Sequence, residues 1–214
     1  MTSEKVTQPN SAKPKVKRLV RTAYHEAGHA CVASALIGTP EVVSIKGKNR
    51  SLGNCLTAAT PCTPGEFIAQ LALAGLAAEH LLTDQVPISL KFFLVNSDAT
   101  LSVLGDDDDL SVAADTMKEL HGVRSHKQRI LRIKQYYEMA RDSLRSVWPI
   151  VNTVATTLLA KKTLKRDELI SIIEAGDVYG PIFAVQEAYG LTVGVPPNAP
   201  KKWPKNETGM KTTT

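Results

Sequence analysis

The segment Tyr24-His25-Glu26-Ala27-Gly28-His29-Ala30 constrains this chain most, because it sets two imidazoles four residues apart inside a helical pattern. Leu19, Val20, Ala23, Ala27, Ala30, Cys31, Ser34 and Ala35 recur at three- and four-residue spacing until Gly38 and Pro40 end the run. Side chains at i and i+4 leave one face of a helix, so His25 and His29 can grip a single metal ion. Glu26 stands beside His25 on the same turn. There it can take a proton from a water that the metal has acidified, since zinc lowers the pKa of such a water to about 7. A shuffled chain of this composition carries the pattern in fewer than about one case in a hundred. A closed structural zinc site would draw on thiolates, and Cys31, Cys55 and Cys62 include no pair at the required spacing.

A hydrolytic zinc site needs a third protein ligand and one open position. His80, His121 and His126 do not follow His29 at a spacing that completes the set, and read as surface or satisfied core residues. Glu79 and Asp109 both remain open as the third ligand, and spacing does not choose between them.

The remaining pattern is mainly α with a small β-sheet. Val42, Val43 and Ile45 form one short strand and Leu52–Leu56 a second, joined by the basic turn Lys46–Arg50. Thr63-Pro64-Gly65-Glu66 reads as a capping box that opens a helix running to about Leu82. Residues 83–104 fit neither period cleanly. A third helix opens in Asp106–Asp109, carries Leu110, Ala113, Ala114, Met117 and Leu120 on one stripe, and closes at Gly122. A long helix is predicted over 125–160, bent at Pro149, and a short one over 166–175.

Charge divides the chain into three parts. The net +5 is concentrated at the ends: residues 1–18 carry +4 and residues 195–214 carry +3, which leaves −2 for the body. Residues 1–18 read as a disordered basic tail, 19–180 as the folded domain, and 181–214 as an extended Pro- and Lys-rich tail. Basic charge on flexible ends, without interleaved aromatic residues, argues against a nucleic-acid surface. No apolar run approaches the roughly 20 residues of a membrane span, and no secretory leader precedes the body. With three cysteines the chain reads as cytoplasmic.

Ala23 to Ala30 resembles the Ala-Tyr-His-Glu-Ala-Gly-His-Ala motif in the peptidase domain of the FtsH-type membrane ATP-dependent zinc metalloproteases. The order of later segments is similar. Val42–Lys48 and Ser51-Leu52-Gly53 look like the family's strand pair, and Ala74-Gly75-Leu76-Ala77-Ala78-Glu79-His80 like its Ala/Gly-Gly-Arg-x-Ala-Glu-Glu helix. Gly105-Asp106-Asp107-Asp108-Asp109 followed by Ala113 matches the segment that carries the family's ligand aspartate. The similarity extends through Tyr136-Tyr137 and Leu158–Leu169, covering about residues 19–175.

That resemblance implies a helical zinc metalloprotease domain of FtsH peptidase type. Zn2+ would be held by His25, His29 and Asp109, with Asp98 and Glu79 as rivals to Asp109. Glu26 would be the general base, and Glu79 would orient a ligand histidine. The chain departs from the family in lacking the ATPase and membrane helices, in having Leu76 and His80 for the usual Arg and second Glu, and in a longer stretch between Leu82 and Gly105. The expected activity is hydrolysis of unfolded or flexible protein segments by a stand-alone module, with a separate unfoldase or a second copy of the chain as partners and no membrane. A catalytically idle zinc-binding adaptor is the alternative.

Overall fold

Helix α1 (Arg18–Leu36) runs through the centre of the molecule, and its sequence explains why. Every residue from Thr22 to Leu36 except His25 is buried. Alanines at 23, 27, 30, 33 and 35 keep the cylinder narrow, so other elements approach from several sides. The computed structural model describes residues 16–46, 53–56, 63–87, 90, 108–122 and 125–191. Among these the chain continues through β1 (Val42–Ser44), β2 (Asn54–Leu56), α2 (Gly65–Thr83), α3 (Asp108–His121), α4 (His126–Ser146), α5 (Trp148–Lys161), β3 (Thr163–Lys165), α6 (Arg166–Gly176) and α7 (Tyr179–Ala188).

Helix α1 is sandwiched between α2 and α5, and α2 in turn packs on α3 and α4. The core joins Leu73 of α2, Leu110 and Met117 of α3, Ile133, Met139 and Leu144 of α4, and Leu158 of α5, all fully buried. Burying each of these side chains contributes about 1.5–3 kcal/mol. One polar cluster lies inside this packing. Ser143 Oγ of α4 accepts from Gln70 Nε2 of α2 at 3.0 Å and from Gln186 Nε2 of α7 at 3.4 Å. Ser143→Ala would strand two buried amide donors, and we expect it to lower the unfolding free energy by about 2 kcal/mol in urea titration.

The sheet has the order β2-β1-β3, antiparallel throughout, with Val43 of β1 opposite Cys55 on one side and Leu164 on the other. Among the described residues strand β2 therefore lies at one edge. The mainly helical architecture with a small sheet is as read from the sequence. Among the described residues no helix is long and apolar enough to cross a membrane.

Four details differ from the sequence reading. Helix α2 starts at Gly65 with Pro64, not Thr63, at the N-cap, because Pro64 is extended (φ −56°, ψ 133°). The long helix expected over 125–160 is two helices separated at Val147. Pro149 is tolerated only in a first turn, so the helix restarts there instead of bending. Strand β3 was not foreseen; three residues are too few to show a period. Helix α7 carries the fold past the expected boundary at 180, with Ile182 and Gln186 buried. Pro181 is accommodated because it sits in the first turn of that helix. Residues 1–15 and 192–214 of the tails expected over 1–18 and 181–214, the Phe92–Val95 run, and Asp98, Asp106 and Asp107 lie outside the described residues.

Candidate metal centre

Two stripes of side chains face each other across the α1–α2 interface, each built on i, i+4, i+8 spacing. Arg21, His25 and His29 of α1 lie against Glu79, Gly75 and Leu71 of α2. The outer rung is an ion pair in which Arg21 Nε donates to Glu79 Oε2 at 3.1 Å and Arg21 Nη2 donates to the same oxygen. The next rung is His25 Nδ1 with Glu79 Oε1 at 3.1 Å, and the innermost is His29 Nδ1 with the Leu71 carbonyl at 2.8 Å. Asp109, in the first turn of α3, closes the third side. Its Oδ2 lies 2.9 Å from His25 Nε2 and 3.2 Å from His29 Nε2, and the two Nε2 atoms are 3.1 Å apart.

Hydrogen-bond logic fixes what these atoms present. A backbone carbonyl only accepts, so His29 Nδ1 carries the hydrogen there and, in the neutral ring, Nε2 keeps its lone pair. An ionised Glu79 likewise only accepts, which sets the same tautomer for His25. Two nitrogen lone pairs and a carboxylate oxygen thus converge on one point, an arrangement that calls for a cation.

His25, His29 and Asp109 could hold a metal ion. Tetrahedral zinc with bonds of 2.0–2.1 Å sets neighbouring ligand atoms roughly 3.3 Å apart. The observed triangle of 2.9–3.2 Å is within a few tenths of an ångström of that. Both imidazoles are oriented by a partner on the far nitrogen, as ligand histidines require.

Without a metal, the same geometry gathers a proton. Burial opposes charge on His25, but the hydrogen bonds to Asp109 and Glu79 outweigh it and push the ring up to about 10. Burial would also raise Asp109, yet the charge of His29 and hydrogen bonds from both rings hold its carboxyl well below the usual range. Glu79 is held low in the same way, burial being overcome by hydrogen bonds from His25 and Arg21.

Glu26 occupies a different side of the helix, one residue from His25, and is 6% exposed. Burial pushes its carboxyl up from the ordinary glutamate value, with the Asp109 charge adding to this and the two histidines opposing it. Gly53, immediately before β2, makes room for it: a Cβ there would lie 2.1 Å from Glu26 Oε1. Gly75 makes room for the ligand rings, since a Cβ there would lie 2.5 Å from both Nε2 atoms. Gly75→Ala must therefore displace both imidazoles, and we expect it to abolish zinc uptake in a chelator competition. Gly53→Ala should leave zinc uptake intact and move Glu26 alone.

Among the described residues, those proposed from sequence are placed as follows. His25, His29 and Asp109 come together, and Glu79 contacts His25 and not the shared centre. His80 and His121 lie apart, on Tyr137 at 2.6 Å and Tyr136 at 3.5 Å, and the side chain of His126 is outside the described residues. Arg21, Gly53, Gly75 and the Leu71 carbonyl were not read as parts of the site. Arg21 had a legible signal, its position four residues before His25. The two glycines act by absence of a side chain, which no local pattern reveals. No protein-family model matches this chain, and no curated protein matches it.

Proposed function

We propose that this chain is a zinc metallopeptidase of FtsH peptidase type that hydrolyses peptide bonds in unfolded or flexible protein segments. The observation that carries the proposal is the convergence of His25, His29 and Asp109 on one point with Glu26 buried beside them. A purely structural ion has no use for a carboxylate base next to it. Bound at that point, a zinc ion would supply Lewis acidity towards a water and a peptide carbonyl. His25, His29 and Asp109 hold the ion's side of the site fixed. Glu26 accepts a proton from the attacking water and passes it to the leaving amine as the carbon–nitrogen bond breaks.

The β2 edge supports a peptide as the substrate. Gly53 abuts Glu26, so a segment pairing with Asn54–Leu56 in extended form would bring a backbone carbonyl towards the base and the ligands. Pairing requires an extended chain, so stable folded proteins should resist cleavage by this chain acting alone. Incubating the purified chain with a casein-like unfolded protein and with a thermostable folded one tests this. Equal, rapid digestion of both would contradict it. The proposal itself is tested by fluorogenic peptide hydrolysis with zinc-loaded protein, expected to occur and to stop on chelation; zinc uptake without hydrolysis of any peptide would instead indicate an idle zinc-binding adaptor.

A further inference from the structure

We infer that Arg21 is a positioning residue that sets the metal affinity of the His25–His29–Asp109 centre by acting through Glu79. The inference rests on the metal reading of that centre and concerns a residue outside the His-Glu-x-x-His motif. The two histidines are held in different ways. His29 is oriented by a backbone carbonyl of α2, whose place is fixed by the helix itself. His25 depends on a side chain, Glu79, whose carboxylate sits on three rotatable bonds.

Arg21 restrains that carboxylate. Its Nε and Nη2 both donate to Glu79 Oε2, which leaves Oε1 for His25 Nδ1. The two donors on one rigid guanidinium converge on Oε2 and hold that oxygen more directionally than a single point charge would, while His25 takes Oε1. Helical spacing makes the arrangement possible, since Arg21, His25 and His29 share one stripe of α1. Arg21 is 44% exposed at its side chain and Glu79 15%, so the pair closes the outer end of the site. An exposed ion pair contributes little to folding. Its effect is therefore expected in the pose of His25 and not in the stability of the chain.

The test is zinc affinity of the full chain, read by competition with a chromogenic chelator, for wild type, Arg21→Gln, Arg21→Lys, Glu79→Gln and the Arg21→Gln/Glu79→Gln pair. Glu79→Gln, which touches His25 directly, should weaken zinc about 10- to 100-fold. Arg21→Gln, one contact further out, should weaken it by about three- to tenfold. Arg21→Lys should recover only part of that loss, because it keeps a cation on Glu79 without the guanidinium's two donors. The double variant should bind zinc no more weakly than Glu79→Gln, since Arg21 then has no carboxylate to hold.

Arg21→Gln binding zinc within about twofold of wild type would overturn the inference and leave the metal centre standing. So would losses that multiply in full in the double variant, or a lysine variant that recovers nothing. A wild type that takes up no zinc would overturn the metal reading and the inference together.

Discussion

Glu26→Gln is expected to bind zinc as tightly as wild type and to hydrolyse a flexible peptide about 100- to 10,000-fold more slowly. The separation of the two effects follows from geometry. Glu26 contributes no atom to the His25–His29–Asp109 triangle, and its carboxylate lies against Gly53 at the start of β2. A glutamine fills the same space but cannot take the proton of the attacking water. Steady-state hydrolysis and chelator competition on one preparation measure both halves. Activity near wild type would remove Glu26 from the chemistry, and loss of zinc would mean that the carboxylate shapes the metal site itself. Gly53→Ala should reproduce the pattern, because it displaces the same carboxylate without changing any ligand.

The second large effect is expected at Asp109. Taking the roughly 10–16 kcal/mol of a zinc site as shared among four ligands, Asp109→Ala should weaken zinc by about 100- to 1,000-fold. Glu79→Ala should cost less, about 10- to 100-fold, because Glu79 reaches only His25 Nδ1 and not the shared centre. Asp107→Ala should change little, although it stands in the same acidic run. Leu110, next in the chain, is fully buried in the α2–α3 packing, and this fixes the direction in which α3 presents Asp109. Zinc titrations of the three variants rank them. If Glu79→Ala abolishes binding and Asp109→Ala does not, the third ligand is Glu79.

Much of this was legible in the residues, and the reasons are particular. The i, i+4 histidines in a run of small residues identified α1 and the side of it that carries the candidate metal ligands. The choice between Asp109 and Glu79 was not legible, because 80 and 50 residues of intervening chain say nothing about which helix crosses α1 at which angle. The facing stripes of α1 and α2 give Glu79 the outer nitrogen of His25 and leave the inner one to Asp109, so His25, His29 and Asp109 form the group that could hold a metal ion. The break at Val147 differs from the expected bend because Pro149 occupies the first turn of a new helix, and the helix after Val178 is too short to show a clear apolar period beside the Pro- and Lys-rich end. Gly53 and Gly75 could be counted in the sequence but not interpreted, since their role is the space they leave for Glu26 and for the two imidazoles.

The central claim is that this centre holds one zinc ion with His25, His29 and Asp109 as its protein ligands. Metal analysis by mass spectrometry, on full-length protein dialysed against micromolar zinc, tests it most directly when wild type is compared with His25→Ala/His29→Ala. The account predicts one zinc per wild-type chain and none above background in the double variant. Equal zinc in both, or none in either, would contradict it.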